Sequence, residues 1–201
     1  MTIEVVLATH NQHKVGEFQR ILGAAMPDVT VVAYDGPEPV EDGVTFAENA
    51  LIKARTAAAH TGRIALADDS GISVDVLGGA PGIFSARWAG PGRGDRENLE
   101  LLLAQLSDIA PEHRAASFHC TIALVVPEGL PHGGSEHVSE GVWRGRLATE
   151  PTGANGFGYD PIFVPDGYDV SSAELAPETK NEISHRARAF ADVIPALRSL
   201  L

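Results

Sequence analysis

The segment Ala65-Leu66-Ala67-Asp68-Asp69-Ser70-Gly71 ends a short apolar run with two neighbouring carboxylates. Residues 64–67 are typical of a buried strand, and the Asp-Asp pair is expected at the end of that strand. Neighbouring side chains of a strand point to opposite faces, so one carboxylate can reach a ligand while the other contacts a neighbouring element. Hard oxygen ligands of this kind suit a magnesium ion. A polar turn without any ligand would use the same residues, and both interpretations are open at this point.

Strand and helix patterns alternate around this segment. Strands are expected at residues 3–8, 30–33, 64–67, 117–126 and 138–147, the last two as an antiparallel hairpin. Helices are expected from about Lys14 and from Asp95, and two Thr-x-x-Glu patterns, at Thr45 and Thr179, have the spacing of a capping box that begins a helix. We therefore expect an α/β fold with a mixed sheet, in one domain over residues 1–201, with the ligand in a central cleft.

Composition narrows the class of protein. The chain has 201 residues, of which 44% are hydrophobic, and 27 acidic against 15 basic residues give a net charge of −12. This balance argues against a broad nucleic-acid or membrane surface, which would need basic patches. The only cysteine is Cys120, no signal peptide is visible, and no apolar run approaches the roughly 20 residues of a membrane span. We expect a cytoplasmic protein.

The first candidate binding segment lies between the first strand and the first helix. Its sequence is Thr9-His10-Asn11-Gln12-His13-Lys14. Backbone N–H groups at a helix start, together with a lysine in its first turn, suit an anion such as a phosphate. The segment has no glycine and is not a Walker A loop. A capped helix with a surface lysine is the alternative, and the two histidines alone do not indicate a transition-metal site.

Acidic residues supply a second candidate set. They are Glu41, Asp42, Glu48, Asp68 and Asp69. Magnesium needs only a few such ligands and retains water molecules. Glu48 already has a structural function in the capping box, and Lys53, five residues further along the same helix, is expected to face elsewhere.

Two further groups of residues suit a nucleotide. The run Gly153-Ala154-Asn155-Gly156-Phe157-Gly158-Tyr159-Asp160-Pro161 combines glycines with aromatic rings on which a nucleobase can stack, although the rings could equally fill the core. Lys180, His185 and Arg186 lie outside the apolar stripe of the last helix. A lysine at the expected N-terminus of that helix is unfavourable unless an anion is bound there.

These motifs together resemble the RdgB-type inosine triphosphate pyrophosphatases over nearly the whole chain. The matching segments are 7–11 with Lys14, 45–50, 67–71, 77–82, 156–161 and Lys180 with 184–186. The resemblance implies an elongated mixed-sheet ITPase-like fold with two lobes around a central nucleotide-binding cleft, and a homodimer. It also implies magnesium-dependent hydrolysis of dITP, ITP and XTP to the monophosphate and pyrophosphate. His10 departs from the pattern, since the family usually has a glycine there.

The resemblance also implies functions for individual residues. Asp69 would be the general base and a magnesium ligand, with Glu41 as the second metal carboxylate and with Glu48 and Asp68 as supporting residues. The substrate-binding residues would be Thr9, His10, Asn11, Gln12, His13, Lys14, Lys53, Ser70, Phe157, Gly158, Tyr159, Asp160, Lys180, His185 and Arg186.

Two other functions are compatible with the same residues. A Maf-like pyrophosphatase would act on modified pyrimidine or methylated nucleotides. A nucleotide-binding sensor would retain the binding residues without turnover. The presence of Asp69, Lys14 and Lys180 together favours an enzyme over the sensor.

Overall fold

The computed structural model describes residues 3–201, with all of their side chains except that of His13. Strands and helices alternate along the first half of the chain, and the last two helices close it. The order is β1 (Ile3–Leu7), α1 (Gln12–Ala25), β2 (Val29–Ala33), α2 (Phe46–Thr61), β3 (Ala65–Val74), α3 (Asp95–Gln105), β4 (Ala115–Val125), β5 (Glu136–Leu147), β6 (Phe163–Pro165), α4 (Pro177–Ile183) and α5 (His185–Leu200).

The strands form one mixed sheet in the order β2-β1-β3-β4-β5-β6. β1 pairs in parallel with both β2 and β3, whereas β5 and β6 are antiparallel. The expected mixed α/β fold is therefore confirmed. None of the helices within residues 3–201 is long and apolar enough to span a membrane.

The chain divides into two compact units. The first contains residues 3–69, Thr121–Glu140 and Ala189–Leu201, and the second contains Ser70–Cys120 and Gly141–Arg188. That the whole chain acts as one domain stays a prediction.

Each unit has its own apolar core. In the first unit, one face of α2 is made of buried alanines, which let the helix lie close to the small residues of β1 and β3; the alanines are Ala50, Ala54, Ala57 and Ala58. The second core is built from large rings and aliphatic side chains, among them Ile72, Phe118, Trp143 and Phe163. The ring centroids of Phe118 and Phe163 lie 4.7 Å apart in an edge-to-face arrangement, a geometry that aromatic pairs favour.

The expectation that the strand ends at the Asp-Asp pair is wrong. β3 runs for ten residues and carries Asp68 and Asp69 in its interior, so the polar-turn interpretation is excluded. The strand continues because Ile72 and Val74, beyond the acidic residues, are fully buried and extend the alternating apolar pattern into the second unit.

The two capping-box patterns have different outcomes. Thr45 caps α2 as expected: its hydroxyl accepts a hydrogen bond from Glu48 N, and the Glu48 carboxylate accepts one from Val44 N. The pattern at Thr179 does not begin a helix, because α4 starts two residues earlier at Pro177. Proline is favoured at the first helical position, where its missing N–H costs nothing. Lys180 therefore lies inside a short helix, and the expected dipole conflict at a helix N-terminus is also wrong.

We predict that Thr45→Ala lowers the free energy of unfolding by about 1 kcal/mol, because the backbone N–H of Glu48, in the first turn of α2, loses its acceptor. Thr179→Ala is the matched control, since Thr179 has the same sequence pattern but caps no helix, and we expect a change within about 0.5 kcal/mol. Urea unfolding followed by circular dichroism measures both. Equal losses in the two variants would contradict the assignment of the cap.

Candidate active site

The two carboxylates of β3 contact lysines from different helices of the first unit. Asp68 is almost fully buried and accepts hydrogen bonds at 2.9 and 3.0 Å from Nζ of Lys14, on α1. Asp69 Oδ1 lies 3.5 Å from Nζ of Lys53, on α2. Burying a carboxylate is costly unless a cation or hydrogen-bond donors accompany it. The opposite orientation expected for neighbouring strand residues thus gives each carboxylate its own partner.

Lys53 also contacts a second carboxylate. Its Nζ lies 3.4 Å from Oε2 of Glu41, which belongs to the loop preceding α2. One ammonium group therefore lies within 3.5 Å of both Glu41 and Asp69. Glu48 does not join this group, because its carboxylate is used in the cap of α2.

Asp69 differs from Asp68 because one of its carboxylate oxygens has no hydrogen-bond donor among the described residues. Burial raises the pKa of Asp69 despite the opposing charge of Lys53, and the nearby carboxylate of Glu41 raises it further. Its Oδ2 atom is buried and accepts no hydrogen bond from the described part of the chain. A buried acceptor without a donor is costly and marks a functional-site candidate.

The residues fit a hard cation. Within the described residues, no group of three or more His, Cys, Asp or Glu side chains forms a complete metal cage. Magnesium does not require one, because it is commonly bound by one or two carboxylates together with water and substrate phosphates. The open Oδ2 of Asp69 and the half-exposed carboxylate of Glu41 supply ligands of that kind.

A cavity of about 190 Å³ opens beside these residues in the first unit. Lys14 and Lys53 both line it, so two positive charges meet at one concave surface. The other lining residues are Ala8, Thr9, His10, Tyr34, Glu38, Pro39, Glu41 and Asp68. Because three carboxylates line it as well, the surface suits a polyphosphate that carries a divalent cation rather than a bare anion.

The segment that enters α1 is ordered by its own side chains. Thr9 Oγ1 accepts a hydrogen bond from Asn11 N at 3.1 Å, and Asn11 Oδ1 accepts one from Lys14 N at 3.4 Å. Gln12 is exposed. The side chain of His13, predicted to bind substrate, lies outside the described residues.

The glycine-rich loop of the second unit separates its two aromatic residues. Phe157 is 64% exposed, whereas Tyr159 is buried and donates a hydrogen bond from its hydroxyl to Ser85 O at 2.8 Å. Burial raises the pKa of the Tyr159 phenol, and the charge of Asp95 adds to the effect. Of the two interpretations of these rings, core filling holds for Tyr159, and a ring free to stack describes Phe157.

Asp160 supports this loop from inside. The carboxylate is buried and accepts hydrogen bonds from Phe157 N at 2.9 Å, from Ser172 Oγ at 2.8 Å and from Nζ of Lys180. Lys180 Nζ also lies 5.9 Å from the centroid of the Phe157 ring. Direct contact of Asp160 with a substrate stays a prediction; in this structure the carboxylate holds the loop.

The remaining predicted residues also lie in the second unit. His185 is buried, and its ring stacks on Phe118 with the centroids 4.9 Å apart. Arg186 is half-buried next to it. Ser70 follows Asp69 on β3, and its hydroxyl is buried without a hydrogen-bond partner in the described part of the chain.

Sequence reasoning missed two residues that position the candidates. Asn49 is buried on α2; its side-chain oxygen accepts a hydrogen bond from Gly43 N at 3.0 Å, and its amide lowers the pKa of Asp69. In the sequence, Asn49 directly follows the capping-box residue Glu48, and this position was the signal that could have identified it. Asp95 was expected to cap α3, but Gly94 is the cap residue, and the Asp95 carboxylate accepts a hydrogen bond from Gly158 N at 3.0 Å. Nothing in the local sequence indicates that long-range contact.

The chain is similar to known proteins in both sequence and fold. The sequence profile of the Ham1 family matches residues 5–196. A dITP/XTP pyrophosphatase of Leifsonia xyli is 63% identical over 98% of this chain and 97% of its own length, and one of Streptomyces avermitilis is 53% identical over 98% of both. The HAM1 protein structure from Coxiella burnetii superposes with a TM-score of 0.89 at 42% identity, covering 98% of this chain and all of that one.

We predict that Lys14→Met lowers the free energy of unfolding by about 3 kcal/mol, because it leaves the buried Asp68 carboxylate without its ammonium group. Adding Asp68→Asn should recover most of this loss, because the double variant has no uncompensated charge at the site. Chemical denaturation of the single and double variants measures the coupling. An additive effect of the two substitutions would show that the ion pair is not the cause.

The raised pKa of Asp69 predicts a dependence of stability on pH. A carboxyl whose pKa is raised on folding stabilises the fold below its unfolded pKa, and this contribution is lost as the pH rises through the folded pKa. In buffer with a metal chelator, Asp69→Asn should therefore melt at a higher temperature than the wild type at neutral pH. The difference should shrink as the pH is lowered towards 4. Calorimetry checks this; a variant less stable than the wild type at neutral pH would contradict it.

Proposed function

The chain belongs to the Ham1 family, and on this basis we propose that it hydrolyses noncanonical purine nucleoside triphosphates. The substrates are dITP, ITP and XTP, and the products are the nucleoside monophosphate and pyrophosphate. Relatives named dITP/XTP pyrophosphatase cover nearly the whole of this chain at up to 63% identity. The reaction removes deaminated purines from the nucleotide pool.

Asp69 is the residue on which the proposed chemical step depends. Its raised pKa makes it a better proton acceptor than an ordinary aspartate, and its open Oδ2 atom can bind a water molecule or a metal ion. We assign it the function of orienting and deprotonating the water that attacks the α-phosphorus in line. Lys14 and Lys53 line the same cavity and stabilise the negative charge that develops on the phosphate oxygens.

Magnesium is the ion that we propose for this site. Asp69 and Glu41 would hold it, since carboxylate oxygens of both residues lie within 3.5 Å of the same Lys53 ammonium group. When bound, the ion would neutralise phosphate charge and polarise the phosphoryl oxygens. Asn49, on α2, opposes the rise in the pKa of Asp69. Neither Glu48, used in the helix cap, nor Asp68, paired with Lys14, is assigned to the metal.

For the nucleoside, the candidates are residues that the family resemblance implies. Phe157 presents an exposed ring on which a base can stack, at a gain of about 1–3 kcal/mol per base. His185, Arg186 and nearby backbone N–H groups are our candidates for donors to a 6-oxo group. Adenine has an amino donor at that position, so a site built from donors would leave buried groups unpaired with adenine. This is a physical basis for selecting inosine over adenosine nucleotides.

We also propose a homodimer in the cytoplasm. The support is the family resemblance for the assembly, and the single buried thiol of Cys120 together with the absence of disulfides in the described chain for the compartment. Light scattering coupled to size-exclusion chromatography tests the assembly: a mass near 42 kDa is expected, twice that of the 21.2 kDa chain.

A substrate panel tests the function. With magnesium, purified protein should release pyrophosphate from ITP, dITP and XTP at least about 100-fold faster than from ATP, dUTP or a methylated nucleotide, measured as kcat/KM. Asp69→Asn should lower kcat by about 10³-fold while ITP binding remains measurable by calorimetry, because the variant keeps the lysines but loses the base.

Other outcomes of the panel separate the alternatives. Preference for dUTP or methylated nucleotides would favour the Maf-like activity. Binding of ITP without any turnover would favour the sensor. Equal rates with ITP and ATP would contradict the proposed specificity.

A further inference from the structure

His10 occupies the position at which the resemblance led us to expect a glycine, and its ring contacts the loop that follows β2. Its Nε2 donates a hydrogen bond to Gly36 O at 3.1 Å, since a carbonyl oxygen only accepts. Its Nδ1 lies 3.1 Å from a carboxylate oxygen of Glu38. One side chain at the end of β1 therefore contacts two residues of a loop 26 positions or more away in sequence.

Tyr34 holds the same loop from a neighbouring position. Its ring stacks with the ring of His10 at a centroid distance of 6.1 Å and an interplanar angle of 16°. Its hydroxyl donates a hydrogen bond to Pro37 O at 3.2 Å. The two rings thus donate hydrogen bonds to Gly36 O and Pro37 O, and the contact with Glu38 adds an ion pair only when the imidazole carries both protons.

The sequence of residues 36–39 suits close contact with the two rings. A side chain at Gly36 would collide with the Tyr34 hydroxyl and the ring of His60, so only glycine allows the backbone to lie this close to the rings. Pro37 and Pro39 fix two of the backbone φ angles that follow. Constraint at residues 36–38 is therefore transmitted along a stiff segment towards Glu41.

We propose that His10 is a positioning residue that fastens residues 36–39 to the end of β1 and thereby holds Glu41 beside Lys53. His10, Glu38, Pro39 and Glu41 all line the cavity of the first unit, so the fastened loop forms one wall of it. In this arrangement the imidazole acts on the loop rather than directly on a phosphate. The consequence for catalysis rests on the function proposed above, whereas the mechanical function of His10 does not.

Backbone order parameters from ¹⁵N relaxation test the proposal without substrate or metal. In the wild type, the amides of Gly36, Glu38 and Glu41 should be as rigid as ordinary folded backbone, with S² about 0.85, and in His10→Gly they should fall below about 0.6. His10→Gln, which can still donate one hydrogen bond to Gly36 O, should be intermediate. His113→Ala removes an exposed histidine of the second unit and should match the wild type.

Kinetics supply a second readout. In His10→Gly, the magnesium concentration for half-maximal ITP hydrolysis should rise about tenfold, the equivalent of one lost hydrogen bond, while kcat at saturating magnesium stays near the wild-type value. Gly36→Ala should produce the same shift, because it displaces the loop from the opposite side.

The order parameters and the kinetics test the proposal independently of each other. Unchanged order parameters in His10→Gly would overturn the proposal, whatever the enzyme does. A loss of kcat without any change in loop order would overturn it as well, in favour of direct contact between the imidazole and substrate. Absence of turnover in the wild type would count against the proposed function and leave the order parameters as the test of His10.

Discussion

The compensation of buried carboxylates by lysine is the interaction on which both units depend. The sequence contains three lysines, Lys14, Lys53 and Lys180, and each contacts the carboxylate of an aspartate that is at least four-fifths buried. Burying a carboxylate is costly unless a cation or hydrogen-bond donors accompany it, so each lysine contributes to keeping its aspartate in place. The lysines therefore fix the positions of three acidic groups, and the acidic groups fix the lysines.

The three pairs differ in how completely the carboxylate is hydrogen-bonded, and the functions that we propose for them follow from that difference. Asp68 receives two hydrogen bonds from Lys14, and Asp160 receives hydrogen bonds from three donors in and around its loop. Asp69 keeps one oxygen without a donor and has a raised pKa. Two of the pairs hold the framework in place, and the third retains the capacity to accept a proton or a cation.

Local sequence patterns predicted most of the elements, because hydrophobic periodicity and capping residues act over a few positions. The strands at 3–8 and 138–147 and the helix at Thr45 follow from such patterns. The length of β3 did not, since two carboxylates inside a buried strand are tolerated only through lysines 16 and 54 positions away. The same reason explains why Asp95 was misread as a helix cap: its partner, Gly158 N, is set by a tertiary contact. The family resemblance supplied the list of candidate residues, and the structure adds which of them contact one another.

We propose that Asp68 and Asp69, neighbours on one strand, have separate functions. Parallel measurements on Asp68→Asn and Asp69→Asn test this separation. We expect one variant to lose mainly stability and the other to lose mainly turnover of ITP. Asp68→Asn should lose about 2 kcal/mol of stability and keep kcat within about tenfold of the wild type. Asp69→Asn should lose about 10³-fold in kcat with no loss of stability at neutral pH without metal. Equal losses of turnover in the two variants, at equal stability, would contradict the account.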